Sequence, residues 1–324
     1  MQYRRLGRSG LTVSVVGLGC NNLGRPGTAT EGQEGTDAVV HAALEAGVTL
    51  FDVADTYGAT AGLSEERLGA ALGAHRSEVV LATKFGMDAG GANGPDFGAR
   101  GSRKYIVQAV EASLRRLGTD WIDLYQFHTP DEATPIEETL SALDELVRSG
   151  KVRYVGHSNR AGWQIAEAEF VARELGTERF ISAQNHYNLL DRRAELEVLP
   201  AARAYGLGVL PYFPLANGML TGKYSGGTAP EGSRLSHTRT HMVRDADLDQ
   251  LARYGDFARE RGLTEVDLAF SWLAAQEPVS SVIAGATRAE QVRQNAQAVR
   301  WVPTPEERAE LDELFPPVPK VALF

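Results

Sequence analysis

The sequence Thr-Leu-Phe-Asp-Val-Ala-Asp-Thr-Tyr-Gly at residues 49–58 places a short apolar run before two carboxylates and a tyrosine. The run lies between Gly47 and Gly58, contains β-branched and aromatic residues, and is shorter than a typical helix, so it predicts a buried strand. We expect this strand to bring Asp52 to one rim of a sheet and to leave Tyr57 in the loop just beyond it. The fold then depends on what flanks the strand on each side.

The same unit of strand and helix recurs on both sides of residues 49–58. Apolar runs alternate with helical periodicity along almost the whole chain. We predict strands at residues 15–19, 49–52, 79–83, 122–127, 152–156, 181–185, 208–212 and 282–284. We predict the main helices at residues 36–46, 64–72, 102–117, 135–149, 161–175, 195–205 and 266–275. Such alternation implies parallel strands with crossover helices, and eight strands close into a (β/α)8 TIM barrel of the α/β class.

A doubly wound open sheet is the alternative arrangement for alternating strands and helices. Such a sheet has no reason to stop at eight strands, and it usually carries a dinucleotide fingerprint after its first strand. Gly17 and Gly19 follow the first part of that fingerprint, but Asn22 replaces its third glycine. Arg25-Pro26-Gly27 then predicts a loop where the fingerprint needs a helix. The barrel is therefore the preferred fold.

Further segments are predicted at the two ends of the chain. Residues 1–16 alternate polar and apolar side chains around Arg8-Ser9-Gly10, which predicts a β-hairpin that caps one end of the barrel. Extra helices are predicted at residues 245–261 and 305–314. No linker or second domain is visible, so we predict a single domain over residues 1–324.

Three segments are longer than a barrel needs, and long loops in a compact domain are usually functional or mobile. We expect them to form the rim of a substrate pocket, whose walls would also include Asn21, Asn22, Phe85 and Trp163. The three segments are residues 85–101, residues 213–244 and the tail from residue 316.

The bulk composition excludes several classes of function. The chain has 324 residues, of which 43% are hydrophobic and 23% charged, and a formal net charge of -9, which argues against the phosphate attraction that nucleic-acid binders use. The single cysteine, Cys20, excludes an intrachain disulfide, and we expect a reducing, cytoplasmic location. Residues 1–8 are charged and no long apolar segment follows them, so we expect neither a signal peptide nor a membrane span.

Four polar residues are predicted at the carboxyl ends of three successive strands, where catalytic groups of such barrels lie. Asp52 and Tyr57 follow the second strand, Lys84 the third and His128 the fourth. A lysine after a buried strand is costly unless it is paired, and Asp52 is the obvious partner. Lys84 would lower the pKa of Tyr57 from its ordinary value of about 10, and His128 would donate a hydrogen bond to a polarised carbonyl oxygen. Each residue alone could have a purely structural role, but together they predict a proton donor beside groups that stabilise an oxyanion. None of them can supply a hydride, so a reduction at this site would need a cofactor.

Sequence motifs outside these four residues favour one known family. The motifs are Val-Gly-His-Ser-Asn at 155–159, Ala-Gln-Asn-His-Tyr-Asn-Leu at 183–189, Tyr-Phe-Pro-Leu-Ala at 212–216 and Leu-Thr-Gly-Lys-Tyr at 220–224. With these motifs, and with the four residues above matching the family's catalytic tetrad without a gap, the chain resembles an aldo-keto reductase from the hairpin to the last helix. The resemblance implies hydride transfer from a nicotinamide dinucleotide, usually NADPH, to the carbonyl group of an aldehyde or ketone.

The resemblance also implies a cofactor site. Ser158, Asn159 and Gln184 would hold the carboxamide of the nicotinamide through their paired donor and acceptor groups, and Tyr212 would stack on its ring. The other residues that we assign to cofactor binding are Cys20, Asn21, Asp52, Phe213, Pro214, Leu215, Ala216, Lys223, Arg234, Gly285, Thr287, Arg288, Gln291 and Asn295.

Two positions depart from the family pattern and bear on the choice of cofactor. Phe213 stands where many members have a serine, and Gly285 stands where some have a lysine, which leaves Arg288 as the cation of the adenosine-binding turn. Lys223 and Arg234 are candidates for a clasp over the pyrophosphate or the 2′-phosphate. NADPH is therefore expected, and NADH is the alternative.

Other functions follow less directly from the sequence. The run Gly-Ala-Thr-Arg-Ala-Glu-Gln at 285–291 resembles the branch of the family that contains potassium-channel β subunits and bacterial reductases, so a redox sensor that holds NADPH and docks on a partner protein is the main alternative. A lyase or isomerase that uses Lys84 as a Schiff-base amine would leave Tyr212 without a role. No metal is predicted, because His237 and His241 lack a third ligand. We expect a small carbonyl compound as substrate, and both a monomer and a homo-oligomer are compatible with the sequence.

Overall fold

The computed structural model describes residues 1–231 and 233–319, except for the side chains of Arg234 and His237. In chain order, its strands are β1 (Tyr3–Arg5), β2 (Thr12–Ser14), β3 (Val16–Gly19), β4 (Leu50–Asp52), β5 (Val80–Phe85), β6 (Ile122–Phe127), β7 (Val152–Ser158), β8 (Ser182–Gln184), β9 (Gly208–Val209) and β10 (Val282–Gly285). Its α-helices are α1 (Gln33–Glu45), α2 (Leu63–Leu72), α3 (Arg103–Leu117), α4 (Ile136–Arg148), α5 (Gly162–Leu175), α6 (Val198–Tyr205), α7 (Arg234–His237), α8 (His241–Arg244), α9 (Leu248–Glu260), α10 (Glu265–Ala274), α11 (Ala289–Gln297) and α12 (Pro305–Leu314).

Eight parallel strands form one curled sheet in the order β10, β3, β4, β5, β6, β7, β8, β9. Hydrogen bonds between the two ends of this order close it: Val209 N donates to Pro278 O (3.0 Å), Ser280 N donates to Val209 O (2.9 Å) and Ile283 N donates to Pro211 O (3.0 Å). The predicted (β/α)8 barrel is therefore confirmed. None of the helices in the described ranges is long and apolar enough to span a membrane.

The N-terminal hairpin, which pairs β1 with β2, inserts its apolar side chains into one end of the barrel. Leu6 and Val13 are fully buried and pack against the inner-layer residues Leu50, Val80 and Leu124. The predicted hairpin cap is confirmed. The other end of the barrel, where the parallel strands finish, is left to carry the polar groups.

Local sequence signals set where several helices begin and end. Ser102 caps α3 by accepting a hydrogen bond from Tyr105 N, and Thr304 caps α12 with Pro305 as the first helical residue. Gly118 ends α3 in the left-handed conformation (φ 62°), which glycine adopts without steric cost. The predicted boundaries of these helices therefore lie within one residue of the observed ones.

Several observed elements differ from the prediction: α11 is not among the predicted helices, α1 begins three residues earlier and α6 three residues later. Strand β5 continues to Phe85, so Lys84 lies inside the strand rather than after it. The last predicted part of strand 208–212 does not pair regularly, since Pro211 has no N–H to donate to the ladder. The segment 213–244 is not a structureless loop, because it contains a 3-10 turn (Ala216–Thr221) and the short helices α7 and α8.

Candidate active site

Strands β4, β5 and β6 are neighbours in the barrel, and their carboxyl ends bring the four residues of the predicted tetrad together. Asp52 is the last residue of β4, Lys84 is the last but one of β5, and His128 directly follows β6. Tyr57 lies in the turn that leads from β4 to α2. A parallel sheet finishes all its strands at the same rim, so the four side chains share one small volume.

Lys84 is the centre of the cluster and is fully buried. Its Nζ donates to Asp52 Oδ2 (2.6 Å), to the backbone oxygen of Val53 (2.9 Å) and to Tyr57 Oη (3.4 Å). An ammonium group has three donors, so all three are used. Burial alone would lower the pKa of Lys84, but Asp52 and Tyr57 outweigh it and the pKa is raised, which keeps the ammonium charged.

The carboxylate of Asp52 is held from two sides. Its Oδ2 accepts from Lys84, and its Oδ1 accepts from Gln126 Nε2 (3.0 Å) and Gln184 Nε2 (2.9 Å). Gln126 was not among the site residues predicted from the sequence. A polar amide in the middle of the buried run Leu-Tyr-Gln-Phe was the signal that could have found it, because buried polar groups require partners.

The pKa of Tyr57 is raised above its ordinary value, so the expected lowering by Lys84 is wrong in its net result. Burial is the largest cause. Lys84 does act to lower the pKa, but burial and the negative charge of Asp52 outweigh it. At neutral pH the phenol therefore retains its proton.

His128 faces Tyr57 edge to face, with ring centroids 5.9 Å apart and an interplanar angle of 80°. Its backbone is fixed by a bond from His128 N to Phe85 O (2.8 Å) and by Asn159 Nδ2, which donates to His128 O (2.9 Å). Burial and the charge of Lys84 lower the pKa of His128 to about 3, so the imidazole is neutral. Its Nδ1 has no hydrogen-bond partner within the described part of the chain. A neutral ring in this position can offer one N–H to a ligand beside Tyr57.

The residues predicted to hold a nicotinamide form one hydrogen-bonded network beside the tetrad. Ser158 Oγ donates to Gln184 O (2.7 Å), Asn159 Nδ2 donates to Ser158 Oγ (3.1 Å), and Tyr212 Oη donates to Asn159 Oδ1 (2.8 Å). The ring of Tyr212 stacks on His186 with centroids 5.5 Å apart and planes 9° from parallel. Gln184 joins this network to Asp52, and so to the tetrad.

The residues predicted to bind the adenosine end lie where β10 meets α11. Gly285 ends β10, Arg288 stands just before α11, and Thr287 N donates to Gln291 Oε1 (2.9 Å). Asn295 lies further along α11 and is buried. The free backbone N–H groups at a helix N-terminus suit a phosphate, and the exposed Arg288 adds a positive charge.

The segment after Tyr212 has an unusual backbone. Phe213 (φ 54°), Ala216 (φ 47°) and Asn217 (φ 60°) all lie in the left-handed region, which non-glycine residues rarely adopt. Asn188 Nδ2 donates to Phe213 O (2.9 Å) and fixes the first of these residues. Such conformations persist where the surroundings enforce them and are frequent in ligand clamps. Pro214 and Leu215 complete this turn.

Two cations of the long segment have described positions near this turn. Lys223 Nζ lies 5.0 Å from the ring centroid of Tyr224. Arg239, which the sequence analysis missed, places its guanidinium 5.5 Å from the ring centroid of Phe213 and donates to Asn217 Oδ1 (3.4 Å). The side chain of Arg234 lies outside the described part of the chain, so the prediction for it stays a prediction.

The residues predicted at the pocket wall, and the predicted cofactor contact Cys20 beside them, take different positions. Cys20 is fully buried, its Sγ lies 3.6 Å from Leu18 O, and burial raises the pKa of its thiol. Asn21 beside it is exposed. Phe85 is not a pocket wall, because it is fully buried and stacks on Tyr125 (4.7 Å) and Phe127 (5.0 Å) in the layer under the helices. Trp163, at the first turn of α5, is 63% exposed.

A second buried polar cluster lies under the segment 85–101 and was not predicted. Asn93 Nδ2 donates to Asp55 Oδ2 (2.7 Å) and to Tyr105 Oη (3.2 Å), while Arg116 donates to Asn93 Oδ1 (2.9 Å) and to Glu65 Oε2 (2.7 Å). Asp55 Oδ1 has no hydrogen-bond partner within the described residues. Burial, and then the negative charge of Glu65, raise the pKa of Asp55 to about 7. This carboxyl is therefore partly protonated at neutral pH.

Comparison with known proteins agrees with this arrangement. The L-glyceraldehyde 3-phosphate reductase of Escherichia coli (strain K12) is 37% identical over 311 residues, which cover 92% of this chain and 88% of the reductase. A probable voltage-gated potassium channel subunit beta of Arabidopsis thaliana is 37% identical and covers 94% of this chain and 92% of its own length. The versiconal hemiacetal acetate reductase of Aspergillus parasiticus is 35% identical, with 98% of each chain covered.

The family model described as "Aldo/keto reductase family" matches residues 15–315, which span the barrel from β3 to the end of α12. The matched region contains every residue of the tetrad and of the network around Gln184. With the closed barrel and this coverage, the chain belongs to the aldo/keto reductase family.

Proposed function

We propose that the protein reduces an aldehyde or ketone to an alcohol with NADPH as the hydride donor, and that residues 1–324 act as one domain in this reaction. The observation that supports this most directly is the contact of Lys84 Nζ with both Asp52 and Tyr57, with the neutral ring of His128 beside the phenol. This arrangement combines a protonated donor, a fixed cation and a neutral hydrogen-bond donor. All three can stabilise the negative charge that develops on a carbonyl oxygen during reduction.

Tyr57 is the general acid in this proposal. Its raised pKa keeps the proton on the phenol until negative charge develops on the carbonyl oxygen. The phenolate that forms would lie 3.4 Å from Lys84 Nζ, which stabilises its charge. Asp52 keeps Lys84 charged and in place, and the neutral His128 donates a hydrogen bond to the same carbonyl oxygen.

The residues around the tetrad fit a nicotinamide dinucleotide. NADPH supplies a hydride to the carbonyl carbon when it is bound. Ser158, Asn159 and Gln184 would hold its carboxamide through their amide and hydroxyl groups, and the turn that contains the left-handed residues Phe213, Ala216 and Asn217 would hold its phosphates. We propose that Tyr212 stacks on the ring, and the further contacts are Cys20, Asn21, Asp52, Pro214, Leu215, Ala216, Lys223, Arg234, Gly285, Thr287, Arg288, Gln291 and Asn295.

The choice of NADPH over NADH rests on Arg288 in this proposal. Its guanidinium is exposed beside the N-terminus of α11, where it could pair with a 2′-phosphate. The single, buried Cys20 supports a reducing compartment such as the cytoplasm. The substrate would be a small carbonyl compound, and the names of the relatives make glyceraldehyde 3-phosphate a sensible member of a test panel.

The proposal is tested by titrating the protein with NADPH and with NADH, and then by measuring reduction of a panel of aldehydes. We expect NADPH to bind and wild-type turnover to fall at least about 100-fold in Tyr57→Phe, since general acids contribute about 10² to 10⁴ in rate. Tyr3→Phe is the matched control, because Tyr3 is exposed in the hairpin at the other end of the barrel.

Relatives named as potassium channel β subunits make an NADPH-binding sensor module the second candidate function. Tight NADPH binding without turnover of any aldehyde would favour the sensor. Turnover that survives in Tyr57→Phe would contradict the role of Tyr57, and failure to bind either nucleotide would contradict both functions.

A further inference from the structure

Gln126 lies inside the barrel and has no role in the proposed chemistry so far. It is fully buried in β6, where Leu124, two residues before it on the same face of the strand, belongs to the inner layer. Its Nε2 donates to Asp52 Oδ1 (3.0 Å), and its Oε1 accepts from Gln184 Nε2 (3.4 Å). Both ends of the amide are therefore engaged within the cluster that contains the tetrad.

Two amides share Asp52 Oδ1, but their surroundings differ. Gln184 ends β8, and its backbone oxygen accepts from Ser158 Oγ (2.7 Å) and Asn159 N (3.1 Å), so it belongs to the network proposed for the nicotinamide carboxamide. Gln126 is the last but one residue of β6, and its side chain contacts Asp52 and the side chain of Gln184. If the carboxamide of a bound nicotinamide engaged the side chain of Gln184, Gln126 would be the remaining amide donor to Asp52 Oδ1.

We infer that Gln126 is a positioning residue for the proposed carbonyl reduction, which holds the carboxylate of Asp52 so that Lys84 stays in contact with Tyr57. The inference rests on the proposed function. A carboxylate with one oxygen on Lys84 and the other on a fixed amide cannot rotate without breaking a charge-assisted hydrogen bond. Without this donor, Asp52 Oδ1 would keep only Gln184, and Lys84 would contact a carboxylate that is held less firmly beside the phenol.

Two variants separate this role from simple packing. Gln126→Met keeps the length and volume of the side chain and removes the donor. We expect kcat to fall by about 10- to 100-fold while the Kd for NADPH and the KM for the aldehyde stay within about twofold, because the contact acts on the step that moves the proton. Gln276→Met is the matched control, since Gln276 is a half-buried glutamine that donates to Trp272 O at the far end of α10.

Gln126→Glu gives a second readout that a packing role would not produce. Only a protonated carboxyl can donate to Asp52 Oδ1, so we expect the ratio of variant to wild-type kcat to rise as the pH falls and to drop as the pH rises, in one titration step that the wild type lacks. This measurement does not use Gln126→Met, so it holds even if that variant fails to fold.

The outcomes distinguish the inference from the proposed function. The positioning role would be overturned if the kcat of Gln126→Met equalled that of the wild type, or if the pH profile of Gln126→Glu paralleled the wild-type profile. A wild-type protein that reduces none of the aldehydes would overturn the proposed function instead. A fall in kcat with unchanged nucleotide binding, together with recovery of Gln126→Glu at low pH, supports the inference.

Discussion

The ammonium group of Lys84 lies 2.6 Å from Asp52 Oδ2, and the side chains are 0% and 4% exposed. Removing one partner of such a buried pair leaves a charge without compensation, which typically costs about 3 to 5 kcal/mol. We therefore expect Asp52→Leu to destabilise the protein by that amount. Adding Lys84→Met should recover part of the loss.

A double-mutant cycle by urea unfolding measures this coupling. The exposed pair Arg259 and Asp256 is the control, because its side chains are 74% and 55% exposed and such pairs contribute less than about 1 kcal/mol. Additive effects of Asp52→Leu and Lys84→Met would contradict the pairing energy that we assign to the buried site.

Asp55 should make the stability of the protein depend on pH. Its pKa is raised from 3.8 to about 7, so the native state keeps a proton that the unfolded state releases above pH 4. Stability then falls as the pH rises from about 4 to about 7 and levels off above that. Asp55→Asn removes this ionisation. We therefore expect the free energy of unfolding of Asp55→Asn, relative to that of the wild type, to rise by about 3 to 4 kcal/mol between pH 4 and pH 8, at about 1.4 kcal/mol per pKa unit.

Unfolding free energies of Asp55→Asn and the wild type at several pH values between 4 and 8 test this. Asp256→Asn, an exposed substitution on α9, serves as the control and should track the wild type across the range. A difference between Asp55→Asn and the wild type that does not change with pH would show that Asp55 is not the titrating group.

His128 should act as a neutral donor at every pH at which the enzyme is assayed. Burial and Lys84 lower its pKa to about 3, so it has no ionisation between pH 5 and pH 8. We expect His128→Asn to lower kcat/KM by about 100-fold, the typical loss of one oxyanion donor, with the shape of the pH profile unchanged over that range. A change in wild-type kcat/KM near pH 6.5 that is absent in His128→Asn would contradict a neutral imidazole at His128.

Arg288 should discriminate between the two nucleotides. If its guanidinium pairs with the 2′-phosphate, Arg288→Ala raises the Kd for NADPH by about tenfold or more and leaves the Kd for NADH unchanged. Arg293→Ala is the matched control, because Arg293 lies on the same helix but contacts Glu45 at 3.4 Å. If Arg288→Ala raised the Kd for NADPH and the Kd for NADH equally, the result would contradict a contact between Arg288 and the 2′-phosphate.

The hairpin should contribute to stability through the inner layer of the barrel. Leu6 is fully buried there, so we expect Leu6→Ala to cost about 2 to 5 kcal/mol by chemical unfolding. Leu11→Ala is the control, because Leu11 is only partly buried against the same layer. A cost of Leu6→Ala within about 0.5 kcal/mol of zero, as for a surface substitution, would mean that the hairpin does not plug the barrel.

Much of the fold could be predicted because a barrel repeats one local pattern. The apolar runs are buried on both faces, so each predicts a strand by itself. Eight such strands are the number that closes into a barrel. The proximity of Asp52, Lys84 and His128 follows from the same logic, since neighbouring parallel strands finish at one rim.

Other features of the site depend on contacts and burial that exist only in the folded protein. Gln126 was missed because its partners, Asp52 and Gln184, come from distant strands whose register is fixed only in the folded barrel. The direction of the pKa of Tyr57 was wrong, since it depends on how deeply the phenol is buried rather than on which charges are present. Asn93 and Arg239 belong to long segments, whose conformation local patterns specify poorly.

The hairpin at the start of the chain also bears on how the protein is made. Arg4 Nη1 donates to the backbone oxygens of Ala274 and Val279, which are 270 and 275 residues away in sequence. During synthesis the hairpin therefore leaves the ribosome long before the residues that Arg4 contacts. Until those residues arrive, the unfinished barrel lacks the partners that fix the hairpin, and apolar surface exposed in such an incomplete fold favours aggregation.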